Sequence, residues 1–335
     1  MKKKYVFGII IVLIIVVIAA IFIFNKIQNT KRDYEVEKIS DNEFEYFVLK
    51  QNEKYGVINK SGDTVITAEY NNIVIPNPKK GVFIAYTGEE VKVLNQNGEQ
   101  ILSEYGKIEP IALKNIASNL MYEKNVLIYN QEDKYGLISI DGEKLTNATY
   151  QSIEGLPYKE GELLVKKDDK YGVINIKGNE LVKTEYDQIN IDNYITDNGY
   201  KDAGYVVANK TDDGFRYGYI DKNGKMILKT EYNDLVRISD IKNNEDIYII
   251  AAKNGQYGLF KNKEQIIKNE YQSIAYSEND NTLTIEKSKK FGVATMDGDI
   301  IIPVEYSQID NTGMYIYAQK DDGTKDVFKK DGARS

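Results

Sequence analysis

A degenerate repeat of roughly 34 to 46 residues is the feature that most limits what this chain can fold into. The clearest copy begins at Lys54 and reads KYGVINKSGDTVITAEYNNI. Self-similarity at such a period indicates stacked copies of one small structural unit rather than a series of unrelated domains. Seven copies and one fragment can be aligned, at residues 54–73, 91–108, 134–153, 170–189, 216–235, 256–274, 290–309 and 325–332.

Each well-formed copy opens with an aromatic residue followed by Gly. Two apolar residues come next, and then a polar run that ends in a turn Gly, such as Gly62. This order predicts a β-hairpin, because Gly can adopt the positive φ angle at which the chain reverses. The copy at 91–108 lacks the aromatic-Gly pair. The pairs are Tyr55-Gly56, Tyr135-Gly136, Tyr171-Gly172, Tyr217-Gly218, Tyr257-Gly258 and Phe291-Gly292.

The second strand of each predicted hairpin ends in a Tyr, with Glu before it in all copies but one and an aliphatic residue three positions after it. Adjacent apolar residues such as Val65 and Ile66 precede this Tyr, which predicts a strand buried on both faces. A further strand is predicted upstream of most aromatic-Gly pairs. One unit therefore has three strands, with room for a short fourth at the aliphatic residue. The Tyr residues are Tyr70, Tyr105, Tyr150, Tyr186, Tyr232, Tyr271 and Tyr306.

This pattern resembles the bacterial WG repeat family over roughly residues 41–332. The Trp of that family is replaced by Tyr or Phe in six copies and is missing at Val91. The resemblance implies an all-β repeat array of about seven or eight small sheets, either β-propeller-like or open. The family supplies no catalytic residue that could be transferred to this chain.

The two ends of the array bear on whether it closes. Residues 314–319 and 326–332 predict two strands of an eighth unit that lacks its last strands, and residues 34–39 are a poor match for the missing outer piece. A split unit of this kind would close a ring and cover strand edges that an open array leaves exposed. The sequence favours closure slightly over an open array.

An uninterrupted apolar segment runs from Tyr5 to Phe24, long enough to cross a bilayer as a helix. A cleaved signal peptide is the alternative, although its apolar region normally ends sooner. The predicted organisation is a cytoplasmic N-terminus at 1–4, a transmembrane helix at 5–24, a linker at 25–40 and a repeat domain at 41–335. The lysines at positions 2 to 4 place the N-terminus inside and the repeat domain outside a single-pass cell-membrane protein.

Composition excludes several functional classes. The chain has no His and no Cys, which removes the usual general base, thiol nucleophiles and thiolate metal sites. After the apolar segment, 41 basic and 51 acidic residues remain, so nucleic acid is not an expected partner. Acidic turns such as 210–214 lack the spacing of a calcium loop. No metal, cofactor or catalytic residue is therefore predicted.

Any specific function is assigned to the unequal connections between units, because the Glu-Tyr pairs recur in every sheet and are interpreted as core structure. The longest connections, 109–125 and 190–204, are predicted as recognition loops, with a simple spacer role as the alternative. The leading hypothesis is a non-enzymatic binding or scaffolding protein for a protein or cell-wall partner. A carboxylate-dependent glycan hydrolase and an aromatic site for wall glycan or choline are the alternatives. The candidate binding residues are Ile116, Leu120, Tyr194, Asp197 and Tyr200.

Overall fold

The computed structural model describes residues 44–113, 121–196, 199–238 and 246–335. All regular secondary structure in these ranges is β-strand, so the predicted all-β repeat array is confirmed. The predicted transmembrane helix at 5–24 lies outside the described residues. Among the described residues there is no helix long and apolar enough to cross a membrane. By its contacts the chain divides into two compact units, Met1–Asp168 with Val173–Glu180, and Asp169–Gly172 with Leu181–Ser335.

The described strands form eight small antiparallel sheets, numbered here in chain order, and within each sheet the strands are neighbours in sequence order. Sheet 1 holds β1 (Tyr46–Gln51), β2 (Lys54–Asn59) and β3 (Thr64–Tyr70). Sheet 2 holds β4 (Asn72–Val74), β5 (Val82–Thr87), β6 (Glu90–Asn95) and β7 (Gln100–Ile101). Sheet 3 holds β8 (Ile108–Leu113), β9 (Met121–Gln131) and β10 (Lys134–Ser139). Sheet 4 holds β11 (Ser152–Leu156), β12 (Lys159–Lys167), β13 (Lys170–Asn175) and β14 (Glu180–Tyr186).

The remaining four sheets follow the same order. Sheet 5 holds β15 (Gln188–Thr196), β16 (Gly199–Thr211), β17 (Gly214–Asp221) and β18 (Met226–Tyr232). Sheet 6 holds β19 (Asp234–Ile238), β20 (Tyr248–Lys253), β21 (Gln256–Lys261) and β22 (Glu264–Tyr271). Sheet 7 holds β23 (Ser273–Ser277), β24 (Thr282–Lys287), β25 (Lys290–Thr295) and β26 (Ile300–Tyr306). Sheet 8 holds β27 (Gln308–Asp310), β28 (Ile316–Gln319) and β29 (Lys325–Phe328).

The repeat in the sequence and the sheet in the structure are offset by one strand. The aliphatic residue that follows each Glu-Tyr pair does not add a fourth strand to its own unit; it opens the next sheet. Ile73, for example, lies in β4 and pairs with Ala85 of β5. The chain passes from sheet 1 to sheet 2 without a loop, because the Asn71 amide directly after Tyr70 already donates a hydrogen bond to the Tyr86 carbonyl at 2.8 Å.

The two aromatic positions of each repeat face each other across neighbouring strands. Tyr55 of β2 is the register partner of Tyr70 of β3, and the β3 backbone bulges between this pair and the next one, Val57 with Ile66. The Gly after the first aromatic allows that bulge, since a Cβ atom on Gly56 would lie 2.4 Å from the Ile66 carbonyl oxygen. The same pairing joins Tyr217 with Tyr232, Tyr257 with Tyr271, Phe291 with Tyr306, and, as an isolated bridge, Tyr135 with Tyr150.

Sheet 3 departs from the prediction, because the expected strand before Tyr150 does not form. The ring of Tyr129 takes the space over Gly136, where a Cβ atom would lie 2.5 Å from a ring carbon. The Tyr129 hydroxyl donates a hydrogen bond to the Thr146 carbonyl at 2.8 Å. The Thr146 hydroxyl in turn accepts the Leu137 amide at 2.8 Å. Individual hydrogen bonds therefore replace a regular ladder in this copy.

The core is divided into clusters that lie between consecutive sheets. In the first unit, Phe83 packs towards sheet 1 in one cluster and Ile84 packs towards sheet 3 in another. In the second unit, Ile249 and Ile250 divide in the same way between sheets 5 and 7. Adjacent residues of a strand point to opposite faces, so the central strands of these sheets are buried on both sides.

Candidate functional site

The two ends of each sheet differ in how strictly they repeat. At the end called here the turn edge, two residues join the first two strands of sheet 1 and the second and third strands of sheets 2 to 7. At the opposite end, called the loop edge, the first and second strands are joined by connections of unequal length. In four sheets these connections cover residues 75–81, 157–158, 278–281 and 311–315. The loop edge is therefore where one sheet can be distinguished chemically from another.

A single acidic side chain organises the loop edge between sheets 5 and 6. The Asp192 carboxylate forms an ion pair with the Arg237 guanidinium, whose side chain is only 9% exposed. The same carboxylate lies 2.8 Å from the Tyr219 hydroxyl, and the Ala203 carbonyl lies 2.6 Å from that hydroxyl as a second acceptor. Because the phenol has one proton, it serves one of these acceptors at a time. The cluster fixes the base of the β15–β16 hairpin against β19.

A second polar cluster holds the loop edge between sheets 7 and 8. The Lys330 ammonium donates to the Asn311 carbonyl at 3.0 Å and to the Asn311 side-chain oxygen at 2.6 Å. It also lies 2.5 Å from the Asp280 carboxylate, which is 7% exposed. Asn311 donates to the Thr282 hydroxyl at 2.9 Å, and that hydroxyl donates to Asp280 at 3.0 Å. Three oxygen atoms thus surround one ammonium group.

Two opposing effects act on the pKa of Asp280. Burial raises the pKa, whereas hydrogen bonds from Lys330, Ser277 and Thr282 lower it more, so that the pKa lies below its ordinary value. Asp280 is therefore ionised near neutral pH and neutralises Lys330. A carboxylate in this state cannot serve as a general acid near neutral pH.

One carboxyl group on the loop edge of the first unit has a raised pKa, opposite in direction to that of Asp280. Glu123 on β9 is 3% exposed, and burial raises its pKa. Its carboxylate accepts the Gly161 amide at 2.7 Å, which partly offsets that rise. Gly161 adopts a φ of 85° in the turn region of β12, so this contact ties β9 of sheet 3 to the first hairpin of sheet 4. Glu123 is too deeply buried to reach a polymeric substrate.

The repeated Glu-Tyr pairs contact lysines of the following sheet. Lys253 of β20 forms a 2.8 Å ion pair with Glu231 and lies 5.9 Å from the centre of the Tyr232 ring. The same arrangement joins Lys287 to Glu270 and Tyr271, and Lys320 to Glu305 and Tyr306. The four Tyr side chains that close sheets 4 to 7 are buried, with exposures of 3% for Tyr186, 9% for Tyr232, 8% for Tyr271 and 1% for Tyr306.

Two of the five candidate binding residues, Tyr194 and Tyr200, lie in the described part of the chain. Ile116, Leu120 and Asp197 lie outside the described residues. Tyr194 and Tyr200 lie on β15 and β16, paired with Lys201 and Ile195.

Most of the segment 190–204, predicted as a loop, is therefore a long hairpin, and β8 and β9 likewise occupy much of 109–125. The alternation of Ile189 and Ile191 with polar neighbours, followed by an Asn-Gly sequence at 198–199, is a pattern from which a hairpin can be predicted.

Sequence reasoning did not identify the residues that build the two polar clusters. Asp192 and Arg237 are 45 positions apart, and Asp280 and Lys330 are on different sheets. The repeat gave no signal for Lys330, because the position two residues before the turn Gly is polar in some copies, such as Lys222, and apolar in others, such as Ile176. No group of His, Cys, Asp and Glu suited to a metal ion occurs in the part of the chain that the structure describes.

One open cleft of about 320 Å³ lies on the loop edge of the first unit. It is lined by residues of sheets 1 and 2, and an ion pair between Lys60 and Glu45 at 2.7 Å spans part of it. The Tyr46 hydroxyl donates to Gln96 at 3.0 Å in the same cleft. Its polar groups therefore satisfy each other and leave no charge directed at a ligand.

Eight small sheets built on one degenerate unit define a tandem β-repeat protein. A family model described as "WG containing repeat" matches residues 55–86, 171–198 and 217–257. The three matched segments are WG-type repeats with Tyr in place of the Trp, and the chain resembles the WG repeat family. Each matched segment starts at an aromatic-Gly strand and continues beyond the end of its sheet, as the one-strand offset requires. No match to a curated protein was found.

Several solved structures align with the chain at low similarity. A eukaryotic initiation factor aligns at 10% identity and a TM-score of 0.32, covering 88% of this chain and 95% of the other. Kluyveromyces lactis Hsv2p aligns at 10% identity and a TM-score of 0.25, covering 77% of this chain and 92% of the other. The dihydro-heme d1 dehydrogenase NirN, in complex with DHE, aligns at 7% identity and a TM-score of 0.27, covering 85% of this chain and 70% of the other. At these TM-scores the alignments carry no functional information.

Proposed function

We propose that the protein is a membrane-anchored, extracytoplasmic binding or scaffolding module that presents the loop edge of its repeat domain to a protein or cell-wall partner. The observation that carries the proposal is the contrast between the two edges. The turn edge repeats with two-residue turns, whereas the loop-edge junctions between sheets 5 and 6 and between sheets 7 and 8 carry different polar clusters. Recognition usually lies on variable connections held by a rigid frame.

A carboxylate-dependent hydrolase is less well supported. Such an enzyme needs two carboxyl groups facing each other across a cleft, one of them with a raised pKa. Asp192 and Asp280 are each neutralised by a basic side chain within their own cluster. Glu123 has the raised pKa but is buried against the Gly161 amide. The proposal therefore assigns the loop edge to binding.

An aromatic cage for choline or glycan is also less well supported. The faces of Tyr232 and Tyr271 are within 6 Å of Lys253 and Lys287, so the protein's own ammonium groups occupy the position that a bound cation would take. Burial also raises the pKa of Tyr186 to about 12, as expected for a ring enclosed in the core. These rings serve packing between sheets.

Site-specific photocrosslinking in intact cells tests the proposal. A benzoylphenylalanine at Met314, which is 82% exposed in the 311–315 connection of the loop edge, is expected to capture a discrete protein or wall fragment. The matched control places the same group at Lys289, an exposed residue of a turn on the opposite edge. Equal capture at both positions, or capture at Lys289 alone, would contradict the assignment of binding to the loop edge.

A further inference from the structure

Each junction between consecutive sheets is built from two apolar faces. At the junction of sheets 6 and 7, Leu259 and Ile267 of sheet 6 share one buried cluster with Leu283 and Ile285 of sheet 7. We call the face that a sheet turns towards the preceding sheet its front face, and the face that it turns towards the following sheet its back face. Leu283 and Ile285 thus lie on the front face of sheet 7, and Leu259 and Ile267 lie on the back face of sheet 6.

The front face of sheet 1 is apolar and open to solvent. In sheet 7 the front-face residue Ile285 is the register partner of the Gly in the aromatic-Gly pair, and Leu49 has that position in sheet 1. Phe47 therefore corresponds to Leu283. Leu283 is fully buried, whereas Phe47 is 37% exposed and Leu49 is half-buried. The ring of Phe44 packs edge-to-face on that of Phe47, with 6.4 Å between the ring centres, which enlarges the apolar surface.

The back face of sheet 8 is the second open face. On β28, Ile316 and Ala318 are buried against sheet 7, so Tyr317 between them points to the opposite face. Val327 of β29 is the register partner of Tyr317 and lies on the same face. Tyr317 is 48% exposed and Val327 is half-buried. In sheet 7 the residue equivalent to Val327 is Val293, which is fully buried against sheet 8.

The turn edge adds a charge match between these two open faces. Between sheets 7 and 8, Lys290 at the start of β25 forms an ion pair with Asp321 in the turn after β28. Lys325 starts β29 in the same way, and Glu53 lies in the turn after β1. If sheet 1 packed on sheet 8 as sheet 8 packs on sheet 7, Glu53 would lie beside Lys325. The contact of Glu53 with Lys50 at 2.9 Å is exposed and therefore weak.

We propose that copies of this chain associate head to tail, with the front face of sheet 1 in one copy packed on the back face of sheet 8 in a second copy. Phe47 and Leu49 of the first copy contact Tyr317 and Val327 of the second. The contact repeats the packing that already joins neighbouring sheets within each unit, so it needs no new kind of interface. Because the two faces differ, the interface is heterologous, and association continues beyond the dimer. This self-association goes beyond the proposed function, since it requires neither an outside partner nor a membrane.

Photocrosslinking between isotopically distinct copies tests the contact. Benzoylphenylalanine replaces Phe47 in an equal mixture of unlabelled and ¹⁵N-labelled full-length chains purified in detergent. The expected products are covalent dimers and longer chains in which the modified position is linked to a peptide containing Tyr317 or Val327, with about half of the links joining a light to a heavy copy. The matched control carries the same group at Val236, an exposed apolar position on sheet 6. Links formed only within one copy, or equal dimer yields at both positions, overturn the proposal.

A substitution on the other face makes the test independent of the photoreactive group. Tyr317→Ser is expected to lower the association constant at least tenfold in sedimentation equilibrium, because it removes an aromatic side chain from the interface. Val236→Ser is the control and should leave the association constant unchanged. Both positions are exposed, so both variants should keep the melting temperature of the wild type. A wild-type chain that stays monomeric at every concentration, or unchanged association of Tyr317→Ser, contradicts the proposal.

A charge exchange identifies which faces meet. Glu53→Lys and Lys325→Glu each place like charges together and are expected to weaken association by about fivefold at low salt. The double variant Glu53→Lys/Lys325→Glu restores the opposite charges and should associate about as strongly as the wild type. A double variant that associates no more strongly than the two single variants would show that these residues do not meet across the interface.

Discussion

At single positions, the Gly of the aromatic-Gly pair is constrained by space and not by its backbone angle. The φ of Gly218 is not positive, yet a Cβ atom there would lie 2.6 Å from the Leu228 carbonyl oxygen and 2.8 Å from the Lys229 carbon. Both atoms belong to the backbone of the neighbouring strand, which cannot move without breaking the bulged ladder. The bulge and the Gly therefore depend on each other.

Replacing Gly218 by Ala is expected to destabilise the second unit by about 2 to 3 kcal/mol, because the added methyl group forces a backbone shift in a packed sheet. Gly313→Ala is the matched control, since its nearest neighbour to a new Cβ atom is 3.9 Å away. Urea denaturation followed by tyrosine fluorescence measures the difference. Equal midpoints for the two variants would show that the close approach is not limiting.

The ion pair between Asp280 and Lys330 is the second feature that belongs to the residue scale. Asp280→Asn leaves a mostly buried ammonium group without its counter-ion, and the expected loss is about 2 to 4 kcal/mol at pH 7. Asp299→Asn, at an exposed position of sheet 7, is the control, and its free energy of unfolding should remain close to that of the wild type.

The same pair predicts a pH dependence. Because the folded-state pKa of Asp280 is lowered, its contribution to stability is complete above the unfolded-state value of about 3.9 and is lost as the pH falls through the folded value. The melting-temperature gap between wild type and Asp280→Asn should therefore narrow below about pH 4. A gap that widens there would contradict the assigned direction.

At the scale of strands and turns, two devices recur. The turn that follows the aromatic-Gly strand is closed by a polar side chain. In sheet 1 this turn joins β2 and β3, where Asn59 accepts the Ser61 amide at 3.0 Å and the Asp63 amide at 2.9 Å, and Gly62 has a φ of 83°. The hairpin predicted from the turn Gly is thereby confirmed. The two-residue turn of the turn edge instead uses two residues with positive φ in sheets 1, 3, 4, 6 and 7, a conformation that favours Asn and Gly.

The two-residue turns of sheets 6 and 7 have nearly the same geometry but different sequences. Asn254-Gly255 has φ angles of 53° and 75°, and Ser288-Lys289 has 52° and 61°. Because side chains other than Gly and Asn are strained in this region, Ser288→Asn/Lys289→Gly is expected to raise stability by about 1 kcal/mol. The converse change, Gly255→Lys, should lower stability. Thermal unfolding of both variants measures the change in melting temperature. The melting temperature must rise for the first variant and fall for the second.

At the scale of the whole molecule, stability is distributed along the chain. In each unit the apolar clusters join one sheet to the next, as Ile249 and Phe260 of sheet 6 do with Tyr219 of sheet 5. The Glu-Tyr pairs add a polar contact at the same junctions through Lys253 and its equivalents. These ion pairs are nearly half exposed, so solvent screening leaves them a small contribution beside the apolar packing. Each sheet thus depends mainly on its sequence neighbours.

The sequence by itself determined the repeat, the hairpins and the residues buried at the sheet junctions, because these follow from local patterns with a period of two and from turn chemistry. Gly62, the aromatic-Gly pairs and the adjacent apolar residues of the strands were all readable in this way. The anchor at 5–24 remains a prediction from the same kind of local pattern.

Only the tertiary structure decided which residues meet across sheets. The assignment of Ile73 to the following sheet, the lost strand near Thr146 and the hairpin over 190–204 depend on pairing between segments that are distant in sequence or on the space left by a neighbour such as Tyr129. The clusters around Asp192 and Lys330 join side chains 45 and 50 positions apart. No local pattern encodes such contacts, since each requires the sheets to be packed before the partners come within hydrogen-bonding distance.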